Sequence, residues 1–216
     1  MKNTISVGAS SYTGEFILPQ IINDWEQQNP DLELRVDISD SSNVFEQIIS
    51  GELEAGVIGM SLENHDVKAD PFLSNFDELV LVCPPNHPFA SVNDISINDL
   101  KGQDFIIREP GSATRMWYRE MLATKNIDFD DLNIVAELGT HPAVLKAVAS
   151  GSGCSFVLKK AAQDYVELGK IKEVKVRDLQ PLMGSLYVIY NSRMRMSDNT
   201  RRFLNFLDME RQRLSA

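Results

Sequence analysis

Residues 105–122 read FIIREPGSATRMWYREML, and three local rules parse them. The apolar run 105–107 is a short strand and Pro110-Gly111 a turn. A helix then opens at Ser112 or Thr114, with Trp117, Tyr118, Met121 and Leu122 recurring at helical spacing. Small hydroxyl residues stand where the first backbone N–H groups of a helix have no intrahelical partner. Those N–H groups, the hydroxyls and the positive end of the helix dipole together suit a small anion. The plainer alternative is that Ser112 caps the helix and does nothing more.

The same device occurs a second time, which favours the ligand reading. Residues 5–9 form a strand that runs into Ser10, Ser11, Tyr12, Thr13 and Gly14. A helix is expected next, with Phe16, Ile17, Leu18, Ile21, Ile22 and Trp25 as its apolar stripe; Pro19 is tolerable only near the first turn, and Asn29-Pro30 ends it. Leu32, Leu34, Val36 and Ile38 alternate with Glu33, Arg35 and Asp37 as a strand. Ser41-Ser42 start a helix through Val44, Phe45, Ile48 and Ile49 to Gly51, and residues 54–59 are the next strand. Between residues 60 and 77 the pattern weakens, and a loop or irregular edge is expected. An apolar strand follows at 78–84.

Beyond residue 122 the order repeats. A strand at 132–137 leads to Thr140-His141-Pro142, a helix start with Pro at its first turn. Val144, Leu145 and Val148 face inward, Gly151 closes the helix, and 154–157 is a buried strand. A helix at 161–168, strands at 171–176 and 185–190, and a terminal helix capped by Ser197 or Asp198 complete the chain; Phe203, Leu204, Phe206 and Leu207 point inward from the last. GASSYTG (8–14) corresponds to EPGSATR (109–115), and IISGELEAGVIG (48–59) to AVASGSGCSFV (147–157). Two similar α/β lobes with parallel strands follow, with ligands at the carboxyl ends of their strands.

Composition excludes several classes. Lys plus Arg number 21 against 31 Asp plus Glu, a net charge of −10 with no basic run, so this chain alone is not expected to bind DNA. Cys83 and Cys154 lie in apolar runs, LVLVCP and GCSFVL, and read as reduced core thiols. The three histidines form no metal-ligand spacing; no metal site and no cofactor are expected. No run approaches the ~20 apolar residues of a membrane span, and MKNTISVGAS holds no signal-peptide core, so a cytoplasmic protein is expected. The sequence lacks G-x-S-x-G, G-x-x-x-x-G-K-[ST], H-E-x-x-H, and any G-x-G-x-x-G in strand–helix context, so no catalytic residue is assigned.

Five segments in order resemble the effector-binding (regulatory) domain of LysR-type transcriptional regulators, a variant of the type 2 periplasmic-binding-protein fold. They are ISVGASSYTGEFILPQIINDWEQQNP, IISGELEAGVIG, DELVLVCPPNHPFA, REPGSATR and ELGTHPAVLKAVASGSGCSFVL, and they span nearly the whole chain. The resemblance implies two Rossmann-like lobes joined by two crossover strands. Lobe I would hold residues 1–81 and 185–216, and lobe II 82–184. It implies an effector site in the cleft between them, and the two hydroxyl-bearing helix starts make the expected effector a small anion, metabolite or inorganic. By matching position the contacts would be Ser10, Ser11 and Tyr12 from the first loop, Ser112, Ala113 and Thr114 from the second, and Thr140 and His141 opposite. A homodimer is also implied, pairing the exposed faces of the 16–28 helix and the 144–148 region.

The family's winged helix-turn-helix and linker helix should precede the first strand and are missing here. DNA contact would come only through that domain. The simplest account is a regulatory domain cut from a longer chain, with Met1 added; the alternative is a natural stand-alone binding domain. A solute receptor and an enzyme are the rival functions on this architecture, opposed by the missing signal sequence and the missing catalytic motifs. Several residues stay open. Ser10 and Ser112 are caps or ligand contacts, Thr140 a cap or a contact, and His141 a surface residue or a contact. Tyr12 stacks on a ligand or walls the cleft. Arg108 and Arg115 neutralise an anion or, the reading preferred here, form surface pairs with Glu109 and Glu120. Trp25 and Trp117 are core or interface.

Overall fold

Strand β1 (Asn3–Ser10) buries Ile5, Val7 and Ala9 and pairs in parallel with β2 (Leu32–Ser39) along its whole length. It also pairs in parallel with β3 (Ala55–Ile58). Parallel neighbours need crossovers, supplied by α1 (Ile22–Gln28) and α2 (Ser41–Ser50). This is a computed structural model, and it describes residues 3–214. Met1, read above as an added start, lies outside them, as do the outermost residues of the expected lobe I. The chain divides into two compact units, one running to Phe76 and resuming at Ser185, the other Asp77–Gly184.

In the first unit the stripe after β1 does not run as one helix. Thr13–Ile17 make a π-helical turn and Leu18–Gln20 a 3-10 turn before α1 begins. Pro19 is the physical reason: it has no N–H to give, and its ring crowds the carbonyl four residues back. At the start of a 3-10 turn neither matters. The apolar stripe still works, because Ile17, Leu18, Ile21 and Trp25 are buried. Trp25 meets Phe203 and Phe206 of the terminal helix edge-on, with ring centroids 5.4 and 5.3 Å away.

A second expectation is corrected at β4, which runs Val67–Cys83 through the region read as irregular. Pro71 and the polar residues around it lower β propensity and hid the strand. Its first half is the last strand of the first unit's sheet, beside β9, and Pro is tolerated on such an edge. Asn75, at φ 51°, kinks the strand near the unit boundary. Buried Phe72 and Leu73 hold this half in place.

The second unit repeats the first. It contains β5 (Asp104–Arg108), α3 (Ala113–Ala123), β6 (Asn133–Leu138), α4 (His141–Ala149), β7 (Ser155–Leu158), α5 (Lys159–Glu167) and β8 (Lys172–Val174). β5 and β6 are parallel, whereas β7 and β8 run antiparallel to β4. The expected strand at 171–176 shortens to β8, Lys172–Val174. Gly51 and Gly151 end α2 and α4 at φ 77° and 91°, the left-handed termination that glycine adopts without penalty. The core stacks Phe105 on Phe156, and Tyr118 on both Phe156 and Phe129. The chain closes with β9 (Leu182–Asn191), antiparallel to β3, and α6 (Asp198–Leu214), whose first turn is capped by Ser197. Among the described residues, no helix is long and apolar enough to cross a membrane.

Cys83 and Cys154 are free and fully buried in the second unit's core. Burial pushes the Cys83 thiol up to about 11 and the Cys154 thiol up to about 12. At pH 8 only about one thiol in a thousand, or fewer, is thiolate. A chromogenic disulfide reagent should therefore titrate no thiol in the native protein at pH 8 and two after unfolding in urea. The folded state holds these protons more tightly than the unfolded chain. Their contribution to stability is complete below about pH 8.5 and is lost as pH rises towards 11 and 12.

Candidate functional site

Parallel pairing of β5 with β6 aligns Arg108 with Leu138, so α3 and α4 start side by side at the carboxyl ends of these strands. A turn closed by Ser112 N–H donating to the Glu109 carbonyl at 3.1 Å turns the chain from β5 into α3. Ser112 is the N-cap by backbone conformation, but its hydroxyl makes no capping bond. Thr140 does cap α4, its Oγ1 accepting from Ala143 N–H at 3.3 Å. Thr114 Oγ1 lies 3.4 Å from His141 Nε2, which joins the two helix starts. Ser112, Ala113, Thr114 and His141 are buried, while Thr140 is exposed.

Arg108 and His141 correct the surface readings. The Arg108 side chain is only 3% exposed. Its Nε and Nη2 donate to the two Glu109 carboxylate oxygens at 2.7 and 2.6 Å, and Nη2 also donates to the Gly139 carbonyl at 3.2 Å. Nη1 lies 2.8 and 3.1 Å from the two His141 ring nitrogens. One guanidinium thus ties the α3 loop, the β6–α4 loop and the first residue of α4 together. Arg115 pairs with Glu137 at 2.6 Å, donates to the Arg108 carbonyl at 2.9 Å and lies over the Phe129 ring. Glu120 is not the partner the sequence implied.

In the first unit, Ser10 ends β1 and Ser11 and Tyr12 follow it, all three buried. Ser10 Oγ lies 3.1 Å from Thr13 Oγ1, and Ser11 Oγ donates to the Ser39 carbonyl at 3.2 Å. The Tyr12 ring packs against Phe16 and Phe76 within this unit. Thr13 joins Ser10 as the loop reading implied, while the Ser39 carbonyl as partner of Ser11 was not foreseen. Ser41 Oγ accepts from Gly59 N–H at 3.3 Å, a contact no local pattern announces. The start of α2 is already occupied: the Asp40 carboxylate caps it, accepting from Asn43 N–H at 2.9 Å. The first unit therefore offers hydroxyls, and the second offers the uncapped start of α3. Among the described residues, no group of three or more His, Cys, Asp or Glu is placed to hold a metal ion.

The sequence profile of the LysR substrate binding domain matches residues 1–211. An uncharacterised HTH-type transcriptional regulator of Methanocaldococcus jannaschii is 33% identical over 206 residues, 95% of this chain and 68% of that protein. A probable RuBisCO transcriptional regulator of Phaeodactylum tricornutum is 28% identical over 193 residues, 88% of this chain and 62% of that protein. The chain thus spans only about two thirds of the length of these relatives. Among solved structures, the CcmR regulatory domain of Synechocystis PCC6803 in complex with 2-PG superposes with a TM-score of 0.83 at 22% identity, covering 96% of this chain and 97% of that one. The effector binding domain of QuiR in complex with shikimate gives 0.84 at 16% identity, covering 99% of both chains. At such identities the likeness is one of fold.

The two helix starts should respond differently to truncation. Thr140→Ala removes a capping bond and should lower the unfolding free energy by about 1 kcal/mol, whereas Ser112→Ala removes none and should change it by less than about 0.5 kcal/mol. Urea denaturation of both variants checks this. An equal loss would show that the Ser112 hydroxyl caps α3 in solution.

Proposed function

We propose, from the premise that the chain belongs to the LysR substrate-binding-domain family, that it senses a small organic anion for a transcriptional regulator. The observation that carries the reading is the uncapped, buried Ser112 beside the starts of α3 and α4. A hydroxyl that caps nothing keeps its hydrogen-bonding capacity for a ligand, and the neighbouring N–H groups add a favourable dipole. Thr140 retains its O–H as a donor while its oxygen accepts from Ala143. Because Glu109 already balances Arg108, the anion is met by hydroxyls and N–H groups and not by an open guanidinium.

Ser10, Ser11 and Tyr12 of the first unit, and Ser112, Ala113, Thr114, Thr140 and His141 of the second, are the proposed effector contacts. 2-PG and shikimate, the ligands of the two similar solved domains, are the first compounds to try. The reading is one of binding without turnover, in the cytoplasm, with DNA contact left to a separate domain of the regulator.

Isothermal titration should give micromolar to millimolar affinity, roughly −8 to −4 kcal/mol, for an anion of this class. Ser112→Ala should weaken it about tenfold, since a hydrogen bond to a charged group contributes about 1.5–3 kcal/mol. Ser10→Ala and Thr140→Val should weaken it too. An anion that binds all three variants as well as the parent places the site elsewhere.

Pairing of two copies is the second part of the proposal. Val144, Leu145 and Val148 of α4 are buried and unavailable. Exposed apolar groups lie instead at Ile22 on α1, at Ile38 on β2, and at Ile134 and Val135 on β6. β2 and β6 are end strands, which present unpaired backbone groups for association. Light scattering should give twice the 24.2 kDa chain mass, and Ile38→Glu with Val135→Glu should return it to one.

A further inference from the structure

None of the proposed effector residues lines a second cavity, of about 630 Å³, in the first unit. The first half of β4, the end of β9, the 191–196 loop and α6 line it, and it opens to solvent on one side. Phe72, Leu204 and Leu207 give it an apolar side, continued by Met194 and Met196 from the loop. Lys68, Arg195, Arg201 and Arg211 stand at its polar side against only Asp70 and Asp208. In a chain of net charge −10, a cavity with an excess of cations is set apart from its surroundings.

The charges are not equally committed. Asp208 pairs with Arg211 at 3.2 Å, and Asp70 accepts from the Tyr190 hydroxyl at 3.0 Å. Arg201 donates to Asp198 at 3.1 Å and to the Met196 carbonyl at 2.9 Å. Lys68 and Arg195 have no ion-pair partner among the described residues. The loop wall is already fixed, with Ser192 N–H donating to the Asp66 carbonyl at 2.7 Å. A ligand would enter a preformed shape and be spared the cost of ordering it.

We infer that this cavity is a second small-molecule site, taking an amphipathic carboxylate whose head pairs with Arg195 and Lys68. Its apolar body lies along Met194, Met196 and Leu204. An inorganic anion would answer the charge and leave the apolar side wet. A neutral alkyl compound would do the reverse. Methionine walls adapt to the outline of the body, so the class is set by a charged head joined to an apolar tail.

Methionine-methyl NMR of the full chain gives a readout local to the cavity, with Met60 and Met183 as reporters outside its lining. The probes are hexanoate, hexan-1-ol and inorganic phosphate. Hexanoate should move Met194 and Met196 saturably, with half-saturation at ~10 mM or below, the weak end of small-ligand affinity. Hexan-1-ol and phosphate should each bind at least about fivefold more weakly. Arg195→Gln, a change at an exposed position, should weaken hexanoate about threefold, in the range of one exposed charge pair. Arg195→Gln with Lys68→Gln should weaken it further. Ser112→Ala should leave hexanoate binding intact, which separates this site from the effector site. The inference is overturned if Met194 and Met196 do not shift saturably. It is equally overturned if hexan-1-ol binds as well as hexanoate, or if Arg195→Gln changes nothing.

Discussion

Arg108 carries a full positive charge at the end of β5 with its side chain 3% exposed, and the second unit's candidate site is built around satisfying it. A buried charge is tolerated only when paired and hydrogen-bonded. Here the partners come from three places in the chain: Glu109 next door, the Gly139 carbonyl before α4, and His141 at its first turn. Meeting the needs of one guanidinium thus fixes where α3 and α4 begin relative to each other. The fork geometry of arginine matters, because a lysine could not serve two carboxylate oxygens and a carbonyl from one rigid plane.

The two units share a chain order and differ in what their helix starts can do. In the first, Asp40 brings its own carboxylate to α2, so that start is already satisfied. In the second, the cap position of α3 holds a serine whose hydroxyl is uncommitted. Internal repetition therefore carries the architecture, while the hydrogen-bonding capacity left at the helix starts differs between the two halves. The cationic cavity beside α6 adds a further asymmetry, since its 191–196 wall follows β9 and lies outside the repeated segments.

Most of the fold was legible because it rests on local rules. The alternation in β2, the stripe of α2 and the glycines after α2 and α4 each announce themselves within a few residues. The buried thiols were legible too, from apolar runs alone. β4 was not, since Pro71 argues against a strand and only the sheet's edge makes it acceptable. The π and 3-10 turns before α1 follow from Pro19, yet which turn types result depends on how Ile17, Leu18 and Ile21 reach the core. In the site, the hydroxyl loops were visible and the role of Arg108 was not. Adjacent Arg and Glu read as a surface pair, and the decisive neighbour, His141, is 33 positions away.

The most direct test of this account follows the backbone amides of Ala113, Thr114 and Ala143 by NMR while small carboxylates and phosphates, 2-PG and shikimate among them, are titrated. The account predicts that a binding anion moves all three amides with one apparent affinity. It also predicts that Arg108→Lys, still folded, loses about tenfold in affinity as the two helix starts lose their common anchor. An anion that binds while sparing these amides, or that binds Arg108→Lys as tightly as the parent, would contradict it.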